Sequence, residues 1–131
     1  MQTRAVFLLF TLGICACATD KPAIDFSGHY ELAKSSKAVF AADVQQKGTT
    51  AAVSFSASRQ DGSGAAPDGD GKGRLNSRGE LEFKFSDSFE NTGTATLRRK
   101  GNVFRLSMKM TKVVEPRAVV FYGDHLLKRV H

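Results

Sequence analysis

Two carboxylates spaced by glycine occur in Asp68-Gly-Asp70-Gly-Lys72-Gly73. Oxygen ligands alternating around glycine are what a calcium loop supplies. The EF-hand form wants them at positions one, three and five, with Gly at six and Glu at twelve. Here Lys72 stands at position five and Gly79 at position twelve, so an ammonium replaces one ligand and the bidentate carboxylate is missing. An acidic, glycine-rich hairpin loop is the better reading. Asp68 and Asp70 stay as candidate binding residues, with Asp61 as a third oxygen donor. The three histidines, His29, His125 and His131, give no pair at metal-ligand spacing, so neither a metal nor a cofactor is expected. Serine is frequent, yet no Gly-x-Ser-x-Gly elbow exposes one as a nucleophile. Glu80 and Glu82 share an outer strand face, where carboxylates more often serve solubility than proton transfer. The chain reads as non-enzymatic.

One chemical signal lies at the front. Met1-Gln-Thr-Arg4 is a short basic start, and Ala5 to Ile14 is an apolar run. Ten residues fall short of the roughly 20 that a spanning helix needs, and the pattern is that of a secretory leader. Ile14-Cys15-Ala16-Cys17 resembles the lipobox of bacterial lipoproteins: an aliphatic residue three before the acceptor Cys and a small one just before it. The resemblance covers the first 17 residues. It implies diacylglycerol on the Cys17 sulfur, cleavage before that residue, and acylation, with palmitate-type chains, of the new amino terminus. Cys15 is the alternative acceptor, with Leu12 at the aliphatic position and bulky Ile14 at the small one. Several acyl chains, at about 0.8 kcal/mol per buried methylene, make a lasting anchor. Ala18 after the acceptor implies, by the family's sorting tendency, an outer-membrane lipoprotein facing the periplasm. The expected organisation is a signal peptide over 1–16, a lipidated tether over 17–23 and one domain over 24–131. Both cysteines lie in the leader region, so the domain has no internal disulfide and must rely on its apolar core.

Charge is distributed unevenly. Residues 98–131 carry nine Lys or Arg against Glu115 and Asp124, whereas residues 17–97 carry nine against eleven carboxylates. Arg98, Arg99, Lys100, Arg105 and Lys109 are the candidate anion-binding residues, and Arg105 and Lys109 share a strand face. Such a stripe attracts phosphate- or carboxylate-bearing partners by steering. The competing reading is a solvated exterior whose lysines discourage strand addition. A formal net charge of +6 is well below that of a dedicated nucleic-acid binder, and an exported setting further disfavours nucleic acid. Phe89, in the polar stretch Asp87–Gly93, is either a partner anchor or a plug for one end of the fold.

The elements that must hold these groups follow a period of two. Phe26, Gly28, Tyr30 and Leu32 share a face, as do Ala38–Val44, Ala51–Ala57, Leu81–Phe85, Ala95–Leu97 and Phe104–Met110 at alternate positions. Strict alternation is the mark of a half-buried strand. Gln46-Lys47-Gly48, Asn76–Gly79 and Arg99–Asn102 read as tight turns. A last strand is expected over Ala118–Tyr122, and Asp61–Gly73, with five glycines, as a long loop. A helical turn within Leu32–Val44 is a local alternative. The fold class is all-β: an up-and-down antiparallel barrel or sandwich of about seven to eight strands.

These readings combine into an expected lipid-anchored binding module for an anionic envelope component. A second reading is an inhibitor or immunity lipoprotein that blocks a periplasmic cell-wall hydrolase through the 61–73 or 87–93 loop. A third is a lipocalin-like carrier, which requires an open barrel interior.

Overall fold

Alternating side chains become alternating burial throughout the computed structural model, which describes residues 24–131. The segments expected as leader and lipidated tether, Cys17 among them, lie outside the described residues. Eight strands follow in order: β1 (Gly28–Leu32), β2 (Ala38–Lys47), β3 (Thr50–Arg59), β4 (Asp68–Leu75), β5 (Leu81–Asp87), β6 (Thr92–Lys100), β7 (Val103–Lys112) and β8 (Asp124–Arg129). A single turn of helix, α1 (Pro116–Val119), precedes β8. Each strand pairs antiparallel with its chain neighbours, and β1 returns to β8 to close the barrel. The all-β barrel expectation therefore holds, and within it the up-and-down form.

Two parts of the chain depart from the sequence reading. Asp68–Leu75 is a strand rather than the second half of a loop, because its inward positions are glycines that leave no apolar signature. Gly69, Gly71 and Gly73 pair with Phe55, Val53 and Ala51 on one side and with Asp87, Phe85 and Phe83 on the other. A Cβ at Gly71 would sit 1.9 Å from the Lys84 carbonyl oxygen, and one at Gly73 would sit 1.8 Å from that of Glu82. At Gly69 it would strike the Phe55 ring at 2.2 Å. The phenyl rings of β3 and β5 thus fill the room that β4 leaves, an aromatic cover over cross-strand glycines.

The second departure is Ala118–Tyr122, which is not the final strand. Pro116 sits in the first turn of α1, where its missing N–H costs nothing, and the Glu115 carboxylate caps that turn. Ala118 and Phe121 are then driven into the end of the barrel as a wedge. The last strand comes later, over Asp124–Arg129. The stretch between β1 and β2 holds no helix.

The interior is solid. Phe26, Tyr30 and Phe104 meet edge to face at one end, with centroids 5.1 to 6.2 Å apart. Phe40, Phe55, Phe85 and Tyr122 cluster at the other. Aliphatic side chains fill the middle, where the remaining void is only about 10 Å³. That is about the space of a single water-sized sphere. No room remains there for an apolar ligand, which removes the basis of the carrier reading.

Candidate functional site

With the interior closed, chemistry must be done on the outside or at the two ends. At the end bearing α1, a polar cluster locks the loops together. Asp87 Oδ1 accepts the backbone N–H groups of Phe89 and Asn91 at 2.9 Å each. Its Oδ2 accepts the Tyr122 hydroxyl at 2.7 Å and Asn91 Nδ2 at 3.0 Å. Asn91 is fully buried and uses every valence, since Oδ1 also takes the Val114 and Glu115 N–H groups and Nδ2 reaches the Glu115 carbonyl. Burial pushes the Asp87 carboxyl up, but its four donors outweigh burial and hold it below its ordinary 3.8. Burial, then the hydrogen bond to Asp87 and the charges of Asp87 and Asp68, raises the Tyr122 phenol above 10. Every polar group here is satisfied from within, so the cluster is a clamp rather than a reaction centre. Phe89 lies half-buried beside it.

A second titratable cluster sits on the flank of β1 and β2. His29 Nδ1 lies 2.8 Å from Asp43 and Nε2 lies 3.4 Å from Glu31, with the His131 ring stacked on it at 5.4 Å. The Asp43 hydrogen bond leads in raising the His29 imidazole above 6.5. Burial opposes it, and the charges of the two carboxylates help. Among the described residues no group of three or more His, Cys, Asp or Glu side chains is arranged to hold a metal ion. Asp61 instead closes its own turn, accepting both the N–H and the hydroxyl of Ser63. Asp68 and Asp70 project outward from β4.

The predicted basic residues are divided by the fold. Arg98 and Lys100 project outward at the end of β6, and Arg98 is paired directly opposite Arg105 of β7. Arg105 is half-buried and reaches Asp124 at 3.5 Å, a long contact, while its Nε is buried without a partner. Arg99 takes the inward phase and turns over Phe104, its guanidinium 6.0 Å from the ring. Lys109 stands opposite Thr94 on the outer face. These five cations therefore form no single stripe.

The outer surface over β2 to β7 carries a groove of about 870 Å³ that the sequence reading missed. Small outward side chains, Ala52, Ser54 and Ser86, form its floor, and Gly71 and Gly93 also line it. Across it runs the cross-strand row Ala52, Lys72, Lys84, Thr94, Lys109. Lys72 and Lys84 are directly opposed, although like charges in that relation are destabilising. The adjacent row is Asp43, Ser54, Asp70, Ser86, Thr92, rich in hydroxyls. Lys72 fell inside the supposed loop, so only the register of β4 on β5 reveals the pairing.

No family model, curated protein or solved structure matches the chain.

Proposed function

We propose that this is a non-catalytic, lipid-anchored binding module whose outer groove holds an anionic glycan of the cell envelope. The observation that carries the reading is the directly opposed Lys72 and Lys84, left without carboxylate partners among the described residues, across a groove lined with hydroxyls. An uncompensated like-charge pair costs stability, and an anion bound between the two ammonium groups would remove that cost. Serine and threonine hydroxyls, Asp70 and Gln45 supply the donors and acceptors that sugar hydroxyls need. Acylation at Cys17 would keep this surface beside the envelope polymers. The loops assigned to an inhibitor give that alternative no support: half of 61–73 is strand, and 87–91 is clamped by Asn91 and Asp87.

The test is co-sedimentation of residues 18–131 with purified peptidoglycan at low and high salt. Salt-sensitive retention, abolished by Lys72→Glu with Lys84→Glu, is the expected result. Equal retention of that folded double variant would remove the groove from the function.

A further inference from the structure

The barrel has two unlike ends, and the chain enters at one of them. Gly28 pairs with Val44 and Tyr30 with Arg129, so the residues before β1 lie beside the β2–β3, β4–β5 and β6–β7 turns. This entry segment is part of the fold, not a loose lead-in. Phe26 is fully buried, and Gln46 holds both its N–H and the Ile24 carbonyl.

The same end gathers Lys47, Arg74, Arg98, Arg99, Lys100 and Arg129. Its carboxylates are already engaged. Asp25 accepts the Ser27 N–H, and Glu80 and Glu82 take Asn76 and Arg78. Lys47, Arg74, Arg98 and Lys100 form no ion pair among the described residues. Arg99 and Arg129 are held in place at the centre, 6.0 and 4.9 Å from the Phe104 ring centroid, and Arg129 is braced by the Asp25 and Ser27 carbonyls. At the opposite end cations and carboxylates interleave: Lys34, Lys37 and Arg59 with Asp61 and Glu90, and Arg117 bound to Glu115 at 2.9 Å.

We propose that the entry end is a membrane-docking face, with its basic rim set against the phosphates of an anionic lipid surface. The tether of the lipid-anchored reading favours the same orientation. Cys17 precedes Ile24 by seven positions, a reach of about 25 Å at full extension. A barrel of ten-residue strands tilted by about 40° is about that tall, so an inverted barrel would draw the tether taut along its whole side. The cations themselves belong to the domain, and their attraction to phosphate does not depend on acylation. Each basic residue at an anionic bilayer strengthens partitioning roughly five-fold, and screening by salt removes the effect.

Residues 24–131 form a closed barrel with its own core, so residues 18–131 can be examined as a soluble protein. It should sediment with phosphatidylglycerol-containing vesicles at low salt, and neither with pure phosphatidylcholine vesicles nor at high salt. Arg98→Glu with Lys100→Glu should weaken partitioning at least about 25-fold. Lys34→Glu with Lys37→Glu makes the same change of net charge at the far end and should leave partitioning nearly intact. Equal losses in the two double variants would reduce the effect to net charge and overturn the proposal. So would an absence of binding to anionic vesicles, or binding governed by the exposed Val120 of the far end through Val120→Asp. Acyl labelling of the full chain is measured separately, so failure of the anchor and failure of the docking face give different results.

Discussion

Lys72 and Lys84 face one another across β4 and β5 at the same register position, two ammonium groups where stability alone would place opposite charges. The fold gains nothing from this arrangement, because both side chains are exposed and bury no apolar surface of the core. A stability cost retained at one place on a surface marks that place for use.

Lys84→Glu should therefore stabilise the free domain, by about 0.2–1 kcal/mol, while weakening anion binding. Chemical denaturation and glycan co-sedimentation on the same sample check the two halves. A variant that loses stability and keeps its binding would reverse the assignment.

Gly71→Ala should destabilise by about 1–3 kcal/mol or more, because the new methyl meets the β5 backbone rather than a side chain that can move. Thermal melting reads this directly, at roughly 4–8 °C per kcal/mol for a domain of this size. An unchanged melt would show that β4 can shift away from β5 at no cost.

Asn91→Ala should cost at least about 2 kcal/mol, since it leaves the Val114 and Glu115 N–H groups and part of Asp87 without partners in a buried setting. Hydrogen exchange should show the loss at 113–115 first, with β2 and β3 protected until global unfolding.

The Asp87–Tyr122 bond sets two limits of pH. The Asp87 carboxyl is lowered on folding, so its contribution is present above about 3.8 and is lost as pH falls through its folded value. The Tyr122 phenol is raised, so its contribution is present below about 10 and is lost as pH rises toward its folded value. Tyr122→Phe should flatten the alkaline limb of a stability profile above pH 10 and weaken the acid limb. An alkaline limb identical to that of the wild type would place its origin in other groups.

Cys17→Ser should abolish incorporation of labelled palmitate and leave unprocessed precursor. Labelling that persists would move the acceptor to Cys15 or end the lipoprotein reading.

How much of this was legible depended on whether burial leaves a side-chain trace. In β7, Phe104, Leu106 and Met108 go inward and Arg105, Ser107 and Lys109 outward, so alternation alone places each of them. In β4 the inward trace is glycine, which looks like a loop until the phenyl groups of β3 and β5 are seen above it. Ala118–Tyr122 has strand-like composition, yet Pro116 and the Glu115 cap start a helical turn just before it, and local capping prevails over propensity. In β8 only Leu127 is buried, too little for a pattern. The basic residues were identifiable as residues, but their grouping depends on register and on which end of a strand they occupy. Arg98 and Arg99 are neighbours in sequence, yet one faces solvent and the other caps Phe104.

The meander also fixes an order of events. Every ladder except one joins strands adjacent in the chain and can zip as soon as its hairpin exists. The exception is the seam between β1 and β8, where Arg129 reaches back 104 positions to Asp25. A chain that emerges amino end first must leave β1 unpaired on that side until Leu127–Arg129 arrive. The basic cap over Phe104 needs the same residues, so the cap and the cylinder are completed together. A chain cut before Leu127 would therefore be expected to unfasten the whole barrel rather than trim one edge.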